Sequence, residues 1–317
     1  MSRFISELKK ERFPITFEVP SPRGGNVEEY IEKIKNYDFL EEVVGLNVCN
    51  NPVGRVMIDP APYAGRILHE VGVEPIAHLT CRDSTLSGLQ RWLLGAQSLG
   101  VKTILAMTGD YGVGDYPAEE KVDHINSLEL ITGIKQYLNE GELMPELSAA
   151  PYRHRNRYLK EVEKIEKKTG FQVGGVIISH RSKEPKYAAQ KVEAGADFFQ
   201  TQICYKAEEI LDFLEEFEKR RERNVPVLIG TTPFSSKAQI RNLLDAVPQV
   251  TVPDSVKKRL SKADDTSQES IEFSVEFYKE ILDGMEDRGL ESKIGAHIIP
   301  VKHNGISGEI IRRLSEL

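Results

Sequence analysis

Eight short apolar stretches recur along the chain, separated by longer segments whose apolar positions repeat with a helical period. The strand-like stretches are residues 15–20, 43–49, 75–81, 103–108, 173–179, 198–205, 226–231 and 296–301. Between them "YIEKIKNY", "APYAGRILHEVG", "LSGLQRWLLGAQSLG", "SLELITGIKQYLN", "AAQKVEAG", "AEEILDFLEEFEKR" and "KAQIRNLLDAV" read as helices, and "GEIIRRLSEL" ends the chain as another. Several stop at glycine, which tolerates the left-handed cap conformation. Strands this apolar leave no face for water, so strand and helix alternating eight times predict a parallel (β/α)8 barrel. A doubly wound sheet is the rival, but no Gly-rich dinucleotide fingerprint follows the first strand.

Two segments interrupt the repeat. Residues 139–170 add a loop and a charged helix before the fifth strand, and residues 252–293 add further helices before the eighth. Neither carries an apolar core of its own, so residues 1–317 are expected to form a single barrel domain with helical insertions before strands 5 and 8.

Charge narrows the function. With 42 basic and 49 acidic side chains the net charge is -7, which argues against non-specific attraction to nucleic acid or an anionic membrane. No run approaches the roughly 18 apolar residues of a membrane helix, and "MSRFISELKKERF" lacks the apolar core of a signal peptide, so a cytoplasmic protein is expected. Cys49, Cys81 and Cys204 are too few and too dispersed for a disulfide framework or a local zinc motif. They read as small buried hydrophobes, and no metal is expected.

The first strand poses the chemical question. Ile15, Phe17 and Val19 alternate with Thr16 and Glu18, and the run then breaks into "PSPRGG". A carboxylate in such a strand either caps a backbone donor or, held against an apolar wall, stays protonated near neutrality and serves as an acid. In a (β/α)8 barrel the chemistry sits at the C-terminal strand ends. Those ends hold Glu18, Asn47, Cys49, His78, Thr80, Asp83, Thr108, Asp110, His180, Gln202, Tyr205, Thr231, Lys302 and His303. There is no Ser-His-Asp spacing and no dense set of metal ligands among them. The set suits hydrogen bonding to a polar heterocycle and movement of a proton.

The strings "FEVPSPRGG", "HLTCRD", "LLGAQSLGVKTILAMTGDYGVGDYP" and "KVEAGADFFQTQ" resemble the methylenetetrahydrofolate reductase family, in its short, acetogen-like form. The resemblance runs from about Thr16 to Val247, and "AHIIPVKHN" matches more weakly. It implies a (β/α)8 barrel that binds FAD, with FMN as the alternative, and reduces the methylene bridge of a folate. By position, Glu18 resembles the general acid, Asp110 the acid near flavin and pterin, Gln202 the pterin-binding amide and Gln239 a second substrate contact. Lys302 and His303 are expected on the substrate. Asn47, His78, Thr80, Gly109, Asp110, Glu184 and Lys191 are expected at the cofactor, with His180 and Arg181 near its phosphates.

The chain also departs from the family. Ile178, Ser179, His180 and Arg181 replace the usual Tyr-Pro or Asn-Pro contact. Thr108 replaces an arginine found in some members, Leu243 an aromatic, and "IPVKH" the usual "Tyr-Thr-Leu-Asn-Arg". Substrate-tail recognition is therefore open to tetrahydrofolate or a methanopterin-type carrier. The electron donor stays open among NADH, NADPH and a partner redox subunit, and a homo-oligomer is expected. Two other readings stand beside this one: a flavin-free reductase fed directly by a nicotinamide, and a pterin-binding methyltransferase or assembly subunit. The basic run 151–158, "PYRHRNRY", is either a solvated helix start or a grip for a pyrophosphate or a partner.

Overall fold

Eight parallel strands pair in chain order, and the last returns to the first to close a barrel. They are β1 (Ile15–Glu18), β2 (Gly45–Val48), β3 (Pro75–Thr80), β4 (Thr103–Met107), β5 (Gln172–Ile177), β6 (Phe198–Thr201), β7 (Val227–Thr231) and β8 (Ile294–Ile298). This computed structural model describes residues 3–109, 122, 124–145, 163–246, 250–300 and 305–317. All eight expected strands are present. The eighth begins two residues before its expected start, because Ile294 and Gly295 already pair with Val227 and Leu228 of β7.

The outer layer consists of α2 (Glu28–Lys35), α3 (Pro60–Glu70), α4 (Leu86–Ser98), α5 (Ser127–Gln136), α6 (Glu184–Glu193), α7 (Ala207–Glu218), α8 (Lys237–Ala246) and α11 (Ile306–Ser315). Local chemistry fixes where several begin. The Asp59 carboxylate accepts from Ala61 N–H ahead of α3, with Pro60 in the first turn, and Thr85 Oγ1 accepts from Gly88 N–H at α4. Asn126 and Glu129 form a reciprocal capping box on α5. In the second insertion the expected extra helices are α9 (Asp254–Lys262) and α10 (Thr266–Arg288), the latter ended by Gly289 at φ 63°. In the first insertion the described residues form a 3-10 turn, Leu138–Glu140, and an antiparallel bridge between Glu142 and Lys164. Residues 163–170 of the expected charged helix are not helical, and the rest of it lies outside the described residues.

One helix was not anticipated. α1 (Arg3–Lys10) places Phe4, Ile5 and Leu8 on one face and inserts them into the N-terminal end of the barrel against Ile76, Leu105, Phe198 and Leu228. Gly174 of β5 makes that packing feasible: a β-carbon there would lie 2.4 Å from the Phe198 ring. The outward residues of the strands, Ile15, Phe17 and Val19 among them, pack instead into the layer shared with the helices. Side chains alternate along a strand, so the polar partners of that alternation, Thr16 and Glu18, point into the barrel. The odd pattern of the first strand is thus an inward polar row beneath an outward apolar one.

Candidate active site

Above the apolar plug the barrel opens into a cavity of about 630 Å³ at the C-terminal strand ends. Leu105, Met107, Val176, Ile178, Ile203 and Ile299 form its apolar walls. Of the residues expected at the site, the fold brings Glu18, His78, Thr80, Gly109, Arg181, Glu184, Lys191 and Gln202 to this one cavity.

Glu18 ends β1 with part of its surface on the cavity and protein around the remainder. Loss of solvent dominates its ionisation, and its pKa is pushed up from 4.5 to about 7 against a smaller opposing hydrogen bond from Cys49. The group is therefore protonated in about half of the molecules at neutral pH and can both hold and release a proton. Below Glu18 lies a buried polar chain. His78 Nε2 is 3.0 Å from Asn47 Oδ1, Asn47 Nδ2 is 3.3 Å from His297 Nδ1, and Thr16 Oγ1 is 3.1 Å from the same ring nitrogen. Burial drives both imidazoles down to a pKa of about 3, so both are neutral.

Lys191 donates to the Val176 carbonyl at 2.7 Å and stands 3.9 Å from Glu184. Burial lowers the lysine pKa and raises that of the glutamate, and each partner's charge opposes the other's shift. Just past the end of β6, Gln202 Oε1 accepts from its neighbour's N–H, Ile203, at 2.9 Å, which leaves the amide nitrogen as the group it can offer a ligand. Gly109 has φ 107°, a conformation that favours glycine, and a β-carbon there would come within 2.8 Å of Arg82.

Three expected contacts are not brought to the cavity wall. Asn47 is fully buried one layer below, between the two histidines, because the cavity floor rests on its neighbours rather than on it. His180 is exposed and does not line the cavity, whereas the next residue, Arg181, is exposed as well but lines it. Gln239 folds onto its own turn, its Oε1 accepting from Ser235 N–H at 2.6 Å and Ser235 Oγ at 3.1 Å. Asp110, Lys302, His303 and the basic run 151–158 lie outside the described residues. Sequence reasoning missed Gln200, His297, Asn50 and Tyr187, all of which line the cavity. It also missed the loop after β2, where Asn51 and Val53 adopt positive φ, 44° and 49°. A β-branched residue there is strained, a feature that gathers at ligand sites. Among the described residues no group of three or more His, Cys, Asp or Glu could hold a metal ion, and none of their helices is long and apolar enough to cross a membrane.

Fold and site together define a (β/α)8 barrel with an enclosed, protonatable acid at its catalytic end. The family model for methylenetetrahydrofolate reductase matches residues 3–315, and the chain belongs to that family. Methylenetetrahydrofolate reductase 2 of Schizosaccharomyces pombe is 26% identical over 220 residues, which cover 67% of this chain and 32% of that protein. Methylenetetrahydrofolate reductase (NADH) 1 of Arabidopsis thaliana is 24% identical over 174 residues, 55% of this chain and 27% of that one. The match thus spans about a third or less of these curated relatives. A solved structure of an uncharacterised protein from Clostridium thermocellum that binds two copies of 5-methyl-5,6,7,8-tetrahydrofolic acid superposes with a TM-score of 0.65. It is 18% identical, the alignment covers 99% of this chain and 98% of that one, and the likeness is one of fold.

Proposed function

We propose that this chain reduces the methylene group of a 5,10-methylene-tetrahydropterin, a tetrahydrofolate or a methanopterin-type relative, to the methyl form with a flavin as its cofactor. The observation that carries the reading is Glu18: a carboxyl with a pKa of about 7, on the wall of the cavity, in a member of this family. A group of that pKa suits general acid catalysis at neutral pH.

The donor set fits a flavin. Apolar walls suit its ring faces, and the orphaned buried acceptor Gln200 Oε1, with Thr80 and Gln202, offers polar groups to the ring edges. Arg181 and the Lys191–Glu184 pair sit on one side, where phosphates would need cations, and Gly109 allows close approach of backbone. When bound, a reduced flavin supplies hydride to the methylene carbon. Glu18 holds the proton destined for N10 of the bridging five-membered ring, and its release opens that ring. Neutral His78 and His297 add no charge to the floor, so nothing there competes for that proton. Gln202 orients the pterin edge, and Asp110 favours the cationic iminium electrostatically. FAD is the expected form, with NADH or NADPH as electron donor.

The absorption spectrum of the purified protein tests the cofactor: a flavin spectrum is expected, and a colourless protein that binds no added flavin overturns that part. Glu18→Gln tests the acid. Flavin content and folding should persist while methylene reduction falls about a hundredfold or more. Wild-type rates in that variant would remove Glu18 from the chemistry.

A further inference from the structure

Gln200 lies inside β6, 2% exposed, with its side chain on the cavity floor. Its Nε2 is 3.4 Å from Thr16 Oγ1, but its Oε1, equally buried, finds no hydrogen-bond partner among the described residues. A buried carbonyl without a partner carries a desolvation penalty, so one aimed into a cavity marks the position of a donor supplied from outside the chain.

The neighbouring polar chain fixes what stands beside that acceptor. Asn47 Oδ1 can only accept, so the His78 nitrogen 3.0 Å away, Nε2, carries the proton. The amide nitrogen of Asn47 can only donate, so His297 Nδ1, 3.3 Å from it, is an acceptor. Being neutral, His297 then bears its proton on Nε2. Thr16 Oγ1 joins both sides: it receives from Gln200 Nε2 and lies 3.1 Å from His297 Nδ1. Gln200 and His297 therefore converge on one hydroxyl, both line the cavity, and between them they carry a carbonyl acceptor and an imidazole N–H donor.

We infer that Gln200 and His297 together read the lactam edge of a bound heterocycle, Gln200 Oε1 taking the ring N–H and His297 Nε2–H donating to the adjacent ring carbonyl. The inference deepens the proposed function and rests on it. Flavin and tetrahydropterin both carry such an edge at N3, so the chemistry is shared and the experiment separates the two. Gln200 is a specificity residue here, distinct from Gln202, which stands two positions nearer the mouth.

The probes are FMN, N3-methyl-FMN, 5-methyltetrahydrofolate and its N3-methylated analogue, titrated against the wild-type chain and against Gln200→Leu and Gln200→Met. Two apolar replacements of similar size guard against one that fails to fold. For whichever heterocycle sits on the floor, the wild type should prefer the N3–H form by about tenfold or more, since a site built for a donor rejects the analogue lacking it. Both variants should lose that preference while the other heterocycle binds as before. Equal N3–H and N3-methyl affinities in the wild type for both heterocycles, or a preference that survives in both variants, overturn the inference and leave Gln200 a structural or water-bridged amide. Failure of the wild type to bind either heterocycle is a different result, and it overturns the proposed function and this inference together.

Discussion

The two ends of the barrel interior are built by the same strands and have opposite chemistry. Inward along β3 the chain reads Ile76, His78, Thr80, and along β6 and the residue that follows it Phe198, Gln200, Gln202. The first of each set packs in the plug with Phe4 and Leu8, and the others face the cavity. Within two residues a strand passes from a group that gains by leaving water to groups that lose unless they are paired. Stability and function are thus separated along the barrel axis rather than between domains, and each end should respond to a different kind of damage.

Phe198→Ala should have the largest effect. It empties the plug, where the ring meets Phe4 edge-on at 5.0 Å, and should cost about 3–5 kcal/mol by denaturant unfolding. Ligand affinity of the protein that remains folded should be unchanged. A loss below about 1 kcal/mol would show that the lower end is not held by packing. At the polar end, Lys191→Met strands the Glu184 carboxylate and should cost about 3 kcal/mol, with partial rescue in the Lys191→Met, Glu184→Gln pair. Absence of rescue would mean that the lysine acts through its Val176 bond alone.

The third test uses pH. Because burial raises the Glu18 pKa from 4.5 to about 7, the folded state holds this proton more tightly than the unfolded chain. Its stabilising contribution is complete below pH 4.5, declines as pH rises, and is gone above about 7. The stability of Glu18→Gln relative to wild type should therefore rise by about 3 kcal/mol between pH 4.5 and pH 8. A difference that does not vary with pH would mean that Glu18 ionises as if in water. The buried histidines work in the opposite sense: with folded pKa values near 3, they cost stability as pH falls below 6.5. The smallest effect should come from Gln202→Glu, which sets like lone pairs against a pterin carbonyl and should weaken methylene-pterin binding about tenfold. Reduction of bound flavin by its donor should be nearly intact, and failure of that half-reaction with unchanged pterin affinity would reverse the assignment.

Much of this contrast is legible in the sequence, and the parts that are not have physical reasons. The eight strands stand out because both of their faces are buried, and Glu18 stands out because a lone carboxylate among Ile15, Phe17 and Val19 has no structural need to be there. The family strings lead to the cavity for the same reason. α1 escaped because its apolar set is only Phe4, Ile5 and Leu8, too short to announce a helix without the barrel opening that receives it. Gln200 and His297 sit inside their strands rather than beyond the ends, where a polar residue reads as a satisfied core group. Their spacing, Gln200 two residues from Gln202 and on the same face, was the signal available. His180 and Arg181 could not be told apart, because both are exposed in a turn and one residue's difference decides which of them reaches the cavity.

The closure of β8 on β1 carries a consequence for the history of each molecule. Ile15 pairs with Ala296, Thr16 with His297 and Phe17 with Ile298, so the seam joins residues some 281 positions apart. The polar floor straddles that seam. During synthesis, β1 has an open edge until β8 has emerged, and an unpaired edge is a template for wrong partners. Closing so long a loop is also slow, because its entropic cost must be met before its contacts form. The polar floor is accordingly the last part of the molecule to exist, and a nascent chain with seven strands already paired still lacks the pairing of Thr16 with His297 that completes it.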